Sequence, residues 1–239
     1  MKLSTRHTRD VPKKQVLSII IPSYNAGDRI LTLLKKLKTL HVPQVQKEII
    51  VINDASKDPV YKQVSGQEGV IYLEHSKNKG KGGALRTGFK RATGDILLIQ
   101  DDDLEYDVRN IPKLLSPILS GEAEVVFGSR RLNKKNKYAS MAYFLGGSFV
   151  NFVVKVFLRQ NITDAITGSK VFTRKVYEEI KPIESQGFDI ESELTVKIVK
   201  SGFRIVEVPI IYSPRTRKEG KNIRWYHAFK LITALWKYS

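Results

Sequence analysis

Short apolar runs alternate with segments of helical periodicity through the first half of the chain, and this alternation limits the fold more than any other feature. The β-rich runs are LSIII (17–21), EIIVI (48–52), VIYL (70–73), ILLIQ (96–100) and EVVFG (124–128). Helical patterns lie between them at 30–40, 83–92 and 110–119. Strands that alternate with helices predict an α/β fold with a mostly parallel central sheet flanked by helices.

The second half of the chain predicts further helices and two short strands. Helical patterns cover about 140–158, 174–180, 191–201 and 223–237, and the β-rich segments are KVFT (170–173) and FRIVEVPIIY (203–212). An α/β chain of 239 residues is expected to form one large domain. We therefore divide it into a basic tail at 1–15, a main domain at 16–222 and an amphipathic basic-aromatic helix at 223–239.

The chain carries a formal charge of +17 and contains no cysteine. Disulfides, thiolate metal sites and a cysteine nucleophile are therefore excluded. Basic residues concentrate at 130–137 and 215–239, and aromatic residues are interleaved in the second stretch. This pattern is typical of a helix on an anionic membrane surface, although a solvated basic face has the same composition. Nucleic acid is a third partner class, but no nucleic-acid-binding motif accompanies the charge.

One stretch, 138–158, has the length of a membrane span, with Lys155 as its only charged residue. Glycine and polar residues dilute it, so we predict a buried or membrane-facing helix instead. The first apolar block, at 16–21, is too short for the core of a signal peptide. We therefore expect a cytoplasmic protein that is peripheral on the inner face of the membrane.

Polar side chains follow the first two predicted strands. Ligands of a parallel sheet bind beside the carboxyl ends of its strands. In PSYNAGD, Tyr24 could stack on a flat ring and Asn25 could hydrogen-bond to it. In NDASKD, Asp54 could accept a hydrogen bond from a base or a ribose hydroxyl. Each segment alone is also typical of a turn, but together they predict a nucleotide pocket.

The third predicted strand is followed by NKGKGGALRTG (78–88), which places glycines just before a helix. Backbone N–H groups and the helix dipole favour phosphate at such a terminus, and Lys81 adds positive charge. The segment matches neither the Walker A pattern nor the dinucleotide-binding glycine pattern. Phosphate binding and a flexible surface turn both stay open.

The fourth predicted strand ends in a cluster of carboxylates, IQDDDLEY (99–106). Asp101 and Asp103 are two residues apart and share one face of an extended chain, which Glu105 could join. Such oxygen ligands beside a diphosphate predict a Mg²⁺ or Mn²⁺ site. Asp102 should then point away. An acidic helix N-cap is the alternative, and Asp107 fits that role.

The chain resembles family 2 glycosyltransferases with the GT-A fold in five ordered motifs, IPSYNAGD, VINDASKD, NKGKGGALRTG, GDILLIQDDDLEY and VFGSRRL. It is similar to the branch of bacterial polyprenyl-phosphate (dolichyl-phosphate-like) glucosyl- and mannosyltransferases in DAITGSKVFTR and GFDIESELTVKIVKSGFRIVEVPIIYSPRTRKEGKNIRW. The likeness covers about residues 16–236, and its specificity lies in the ordered set of motifs.

The resemblance implies roles for individual residues. The donor-binding set comprises Pro22, Tyr24, Asn25, Asp54, Gly80, Lys81, Asp101, Asp102 and Asp103. The metal ligands are drawn from Asp101, Asp103 and Glu105. The acceptor or phosphate-binding set comprises Arg130, Asp164, Thr167, Lys170, Glu191, Arg215, Arg217 and Lys221. The catalytic set comprises Asp103, Arg130 and Glu193.

The sequence also departs from the family pattern. Asn53 replaces the first acid of the common Asp-Asp pair, and Ala55 replaces a glycine. A glutamate that often follows Tyr-Asn is absent, unless Asp28 substitutes for it. These departures concern the predicted nucleoside pocket, so they leave the base of the donor open.

The resemblance implies transfer of a hexose from a nucleotide-diphosphate sugar of the UDP-glucose or GDP-mannose type, metal-dependent and with inversion. A polyprenyl phosphate is the expected acceptor, and it needs no strong general base because its oxygen is already anionic. A hydroxyl of a glycan or glycolipid is the alternative, with Glu193 or Asp164 as the base. A non-catalytic nucleic-acid-binding module and a sugar-nucleotide pyrophosphorylase are more distant alternatives, and homo-oligomerisation stays open.

Overall fold

The computed structural model describes residues 14–136, 141–215 and 237–238. Within these residues one sheet contains seven strands: β1 (Gln15–Ser23), β2 (Val45–Asn53), β3 (Val70–Glu74), β4 (Ile96–Ile99), β5 (Val125–Ser129), β6 (Lys170–Thr173) and β7 (Ile205–Pro209). The strand order is β3-β2-β1-β4-β6-β5-β7. Every neighbouring pair is parallel except the two pairs made by β6. The predicted α/β fold with a mostly parallel sheet is confirmed.

The described helices are α1 (Arg29–Thr39), α2 (Val60–Ser65), α3 (Gly80–Arg91), α4 (Ile111–Leu119), α5 (Met141–Leu158), α6 (Arg174–Ile180) and α7 (Ile190–Lys200), with a 3-10 helix at Val108–Asn110. Most of them coincide with a predicted helical pattern. The sequence did not predict α2, because six residues are too few to show a helical period. The predicted helix at 223–237 and the predicted tail at 1–15 lie almost wholly outside the described residues.

The sheet lies between two layers of helices because its strands bury side chains on both faces. In β1, Leu17, Ile19 and Ile21 pack into one core together with α1, α2 and α4. Ile20 points the other way, into a second core formed with α3, α5, α6 and α7. This alternation follows from the two-residue period of a strand. No described helix is long and apolar enough to cross a membrane.

The reversed direction of β6 brings the second half of the chain to the ligand-binding edge of the sheet. The carboxyl ends of β1, β2, β3, β4, β5 and β7 lie along one edge, because these strands run the same way. Since β6 is antiparallel to β4 and β5, its first residue, Lys170, lies at that same edge. Residues just before β6 therefore lie close to the carboxylates that follow β4.

Candidate functional site

The carboxyl ends of β1 and β4 are joined through Asp102. Its Oδ2 accepts a hydrogen bond from Ser23 Oγ at 2.6 Å and from the Tyr24 N–H at 3.3 Å. Asp102 therefore fixes the start of the segment that was predicted to hold the nucleoside. Tyr24 has 53% of its surface exposed at this edge, so its ring is available to a ligand. Ser23 was missed by the sequence analysis, although it ends a strand and the same strand-end argument could have found it.

Asp101 begins a chain of alternating charges that runs from the half-buried sheet edge to the buried Glu191 and Lys170. Lys81 Nζ lies 2.6 Å from Asp101 Oδ1 and 2.8 Å from Glu191 Oε1. The other oxygen of Glu191 pairs with Lys170 Nζ, which also donates to the carbonyl of Thr167. Burial lowers the pKa of Lys170, and the negative charge of Glu191 opposes this shift. The structure thus brings together Lys81 and Asp101, two residues of the predicted donor-binding set, whose contact with a donor stays a prediction.

Two members of the predicted phosphate-binding set lie inside this chain without access to solvent. Lys170 and Thr167 have 0% of their surface exposed. A side chain that presents no surface offers no contact to a phosphate in this arrangement, so the burial of both residues favours a positioning role, and their contact with phosphate stays a prediction. Glu191 is buried as well and holds Lys81 and Lys170 on either side. Through Lys81, the network orients Asp101 at the end of β4.

Arg215 pairs with both Asp103 and Glu105. Arg215 Nη2 lies 2.9 Å from Asp103 Oδ2, and Arg215 Nε lies 3.1 Å from Glu105 Oε1. The second oxygen of Glu105 accepts from the Tyr212 hydroxyl. Burial raises the pKa of Asp103 to about 7, reinforced by the negative charges of Asp101 and Glu105 and opposed by Arg215. The negative charges of the three carboxylates therefore act on one another at this edge of the sheet.

The carboxylates have the right chemistry for a hard divalent cation, but cations of the protein neutralise them in this arrangement. Within the described ranges no group of three or more acidic or histidine side chains is spaced to hold a metal ion. Asp101 faces Lys81, and Glu105 faces Arg215. A cation bound by Asp103 and Glu105 would take over contacts that Arg215 now makes.

Arg130 and Asp164 form a two-pronged ion pair. Arg130 Nε lies 2.7 Å from Asp164 Oδ2, and Arg130 Nη2 lies 2.7 Å from Asp164 Oδ1. Asp164 is buried and accepts a third hydrogen bond from the backbone N–H of Arg130. The guanidinium also stacks over the ring of Tyr212, 5.3 Å from its centroid. Because both oxygens of Asp164 are occupied by a permanent cation, its predicted role as a general base is not supported.

The N-terminus of α3 is satisfied within the protein. The Asp54 carboxylate accepts from the backbone N–H groups of Lys79 and Gly80, both at 2.8 Å. The carbonyl of Gln186 accepts from the N–H groups of Gly82 and Gly83. A phosphate would have to displace these partners, so the structure favours a packing role for this segment, and phosphate binding stays an untested prediction. The glycines serve close packing, since a side chain at position 80 or 82 would collide with the backbone of residues 185–187.

His75 contacts the buried carboxylate of Asp54. His75 Nδ1 lies 2.6 Å from Asp54 Oδ1, and its Nε2 lies 2.9 Å from Thr87 Oγ1. Asp54 is buried, and each of its oxygens has a protein partner. Its contact with the nucleoside stays a prediction, although the structure favours a role in fixing α3. His75 was missed by the sequence analysis, although it directly follows β3 and so occupies a strand end.

Glu193 lies apart from the carboxylate cluster. Its Oε1 accepts from the Glu184 N–H at 2.8 Å and pairs with Lys197 Nζ at 2.8 Å. Its Oε2 accepts from the Ser185 N–H at 2.7 Å. The carboxylate is buried and holds the loop that packs on α3, so its predicted catalytic role finds no support in this placement.

The remaining predicted residues divide into those at the edge and those that the structure does not describe. Pro22 is the penultimate residue of β1. Asn25 follows with a positive φ of 52°, and its N–H donates to Ser56 Oγ at 2.9 Å. Both lie at the same edge as Tyr24. Arg217 and Lys221 lie outside the described residues.

Comparison with known proteins identifies the family of this chain. The family described as glycosyl transferase family 2 matches residues 18–181. The dolichol-phosphate mannosyltransferase of Pyrococcus furiosus is 30% identical over 232 residues, which are 90% of this chain and 63% of the relative. A Methanococcus voltae relative, named UDP-N-acetylglucosamine--dolichyl-phosphate N-acetylglucosaminyltransferase, is 27% identical over 87% of this chain and 91% of its own length. The chain thus spans less than two thirds of the Pyrococcus relative.

Solved structures share the fold at low sequence identity. Glucosyl-3-phosphoglycerate synthase of Mycobacterium tuberculosis superposes with a TM-score of 0.70 at 17% identity, over 94% of this chain and 80% of that one. Crystals of the same enzyme hold Mn²⁺ with UDP-glucose, or Mg²⁺ with UDP. The architecture of the sheet is therefore that of GT-A glycosyltransferases. Together with this architecture, the match over residues 18–181 shows that the chain belongs to glycosyl transferase family 2.

Proposed function

We propose that this glycosyltransferase moves a hexose from a UDP-glucose- or GDP-mannose-type donor to a polyprenyl phosphate, with a divalent cation and with inversion at the anomeric carbon. The observation that carries the proposal is the meeting of Asp101, Asp103 and Glu105 with Lys81 and Arg215 at one edge of the sheet. Arg130 adjoins this cluster through Tyr212, which contacts both Arg130 and Glu105. Alternating acids and bases suit a substrate pair that brings a diphosphate, a second phosphate and a cation. The names of the dolichyl-phosphate relatives support the acceptor class.

The donor is expected to bind at the ends of β1 and β4. Tyr24 offers an exposed ring for the base, and Asp102 fixes the backbone at this position through Ser23. Asp103 and Glu105 would hold the cation, which supplies charge stabilisation to the leaving diphosphate when it is bound. Lys81 keeps Asp101 oriented toward the same space.

The acceptor phosphate is expected at Arg130. Its guanidinium is held by Asp164 in one orientation, and 23% of its side-chain surface is open to solvent. A phosphate oxygen is already anionic near neutral pH, so attack on the anomeric carbon requires no proton removal by the protein. This agrees with the finding that both predicted bases, Glu193 and Asp164, are engaged by cations. The arrangement therefore favours a phosphate acceptor over a hydroxyl acceptor.

A panel of UDP- and GDP-sugars, with and without undecaprenyl phosphate and Mn²⁺, tests the proposal through nucleotide release and labelled lipid product. Asp103→Asn and Glu105→Gln should each lower cation-dependent transfer by about 100-fold or more, since each removes a carboxylate that would hold the cation beside the leaving diphosphate. Asp107→Asn is the matched control, because Asp107 pairs only with the exposed Arg109 within the described contacts. Full activity in both site variants, or thermal protection by RNA and not by UDP or GDP, would contradict the proposal.

A further inference from the structure

The outer side of α5 carries a continuous apolar surface. Four of its side chains have between 52% and 62% of their surface exposed, and we call them the α5 face: Phe149, Phe152, Val156 and Phe157. Their spacing places them on one side of the helix. On the opposite side Val150 and Val154 are buried in the core. A helix that is apolar on both sides and leaves one of them uncovered indicates an interaction surface.

The chain segment that contains the α5 face carries only positive charges. Between Val125 and Thr163 the sequence contains seven lysines and arginines and no aspartate or glutamate. Lys155 and Arg159 are exposed beside the face itself. Aromatic side chains bordered by lysine and arginine are typical of helices that lie in an anionic lipid interface. A second copy of the chain is a poor occupant, because the same basic border would meet itself in a molecule of charge +17.

The inner side of α5 is fastened to the acceptor end of the site. Ser148 Oγ accepts from Arg131 Nη1 at 2.8 Å, next to Arg130 in the chain. Asn151 accepts from the Ala165 N–H at 3.0 Å and donates to the Thr163 carbonyl. These contacts hold the two segments that flank the ion pair of Arg130 and Asp164. The position of α5 therefore sets the position of that ion pair.

We propose that the α5 face binds the surface of an anionic bilayer and so presents Arg130 at the level of the lipid phosphates. The part of this inference that concerns the acceptor rests on the proposed function, whereas bilayer binding itself does not. The helix would lie along the interface with the three phenylalanines in the acyl region and Lys155 and Arg159 among the headgroups. A lipid-linked phosphate could then reach Arg130 without leaving the bilayer.

Co-sedimentation of the full chain with vesicles tests the surface. Vesicles that contain phosphatidylglycerol should bind the protein, and phosphatidylcholine vesicles should bind it much more weakly. The double variant Phe149→Ser/Phe152→Ser should lower vesicle affinity by about tenfold or more, because two half-exposed aromatic rings no longer enter the lipid. Lys155→Glu should lower it by about tenfold. Lys113→Glu is the matched control, since Lys113 is exposed on α4, on the other side of the sheet.

The outcomes separate this inference from the proposed function. Vesicle binding of the double variant at the wild-type level would overturn the inference. A wild type that is dimeric in solution and a double variant that is monomeric would overturn it as well, because the α5 face would then be a contact between two copies of the chain. Transfer to a short, water-soluble prenyl phosphate should be equal in the wild type and the double variant, because this acceptor needs no bilayer. If neither protein transfers sugar to this acceptor while the wild type still binds vesicles, the proposed function is refuted and the inference about the α5 face is retained. Circular dichroism melting confirms that the double variant is folded.

Discussion

The guanidinium of Arg215 occupies the space between Asp103 and Glu105, with Nη2 2.9 Å from Asp103 Oδ2 and Nε 3.1 Å from Glu105 Oε1. The protein thus supplies its own positive charge to the pair of carboxylates that we expect to hold a cation. A bound cation and this guanidinium would compete for the same oxygens. Arg215 therefore acts as the counter-ion of the two carboxylates when no cation is bound.

Replacing Arg215 by glutamine should raise the affinity of the free protein for Mn²⁺ by about tenfold or more, because one positive charge beside the site is removed. Isothermal titration with Mn²⁺ in the absence of nucleotide measures the effect. Arg109→Gln is the matched control, because Arg109 is exposed and pairs with Asp107 outside the cluster. An Mn²⁺ affinity of Arg215→Gln at or below that of the wild type would show that the guanidinium and the cation do not compete.

Glu193→Gln separates a structural role from a catalytic one. The carboxylate accepts backbone hydrogen bonds on both oxygens, and a glutamine amide can accept on only one of them. We expect a loss of about 1–3 kcal/mol in the free energy of unfolding, with kcat for a phosphate acceptor changed by less than about threefold. A general base would instead lose about 10²- to 10⁴-fold in kcat without a comparable loss of stability. Urea denaturation and steady-state kinetics on the same preparation decide between them.

The sequence predicted the sheet edge well because strand ends are local features. The runs that became β1 to β5 and the polar residues after them can be recognised without knowledge of their neighbours. Partners were harder to predict, because they depend on contacts between distant parts of the chain. Lys170 and Glu191 are 21 residues apart and Arg215 and Glu105 are 110 apart, and no local pattern shows that such residues neutralise each other.

The role of the glycine segment at the start of α3 likewise depends on contacts with distant parts of the chain. A glycine-rich helix start has the same sequence whether it receives a phosphate or a loop of its own chain. In the folded protein the carbonyl of Gln186 and the carboxylate of Asp54 take the positions that a phosphate would need. The pairing depends on residues more than 20 positions away on either side, so the sequence could not decide between the two.

Gly82→Ala tests the packing role of this segment. A methyl group at position 82 would approach the Ser185 carbonyl oxygen far more closely than van der Waals contact allows, and because that oxygen belongs to the backbone, only a movement of the loop could relieve the clash. We expect a loss of about 1–3 kcal/mol in the free energy of unfolding. Gly146→Ala is the control, because nothing lies within 4 Å of a methyl group there, and it should stabilise α5 by about 0.5–1 kcal/mol. Equal stability of the two variants would contradict the packing role.

Glu48 should make stability depend on pH. Burial alone would raise the pKa of its carboxyl, but hydrogen bonds from Ser18 and from the Thr93 N–H and hydroxyl lower the pKa below its usual value of 4.5. A carboxyl with a lowered folded-state pKa stabilises the protein above its unfolded pKa, and this contribution disappears as the pH falls. Glu48→Gln should therefore be less stable than the wild type by about 1–2 kcal/mol at pH 7, with the difference shrinking below about pH 4.5. Thermal melts from pH 3.5 to 7 measure it, with the exposed Glu178→Gln as a control that should stay near the wild type throughout.

Ala55 occupies a backbone conformation that favours glycine. Its φ is +62°, where the Cβ atom of an L-residue crowds the following carbonyl oxygen at a cost of about 1–2 kcal/mol. Glycine removes this strain but adds about 0.4–1 kcal/mol of conformational entropy to the unfolded chain. Ala55→Gly should therefore stabilise the protein by about 0.5–1 kcal/mol, measured by urea denaturation. Ala84→Gly, in the middle of α3, should instead destabilise it by about 1 kcal/mol or more, because glycine is unfavourable inside a helix. Destabilisation by Ala55→Gly would mean that the methyl group contributes contacts worth more than the strain it causes.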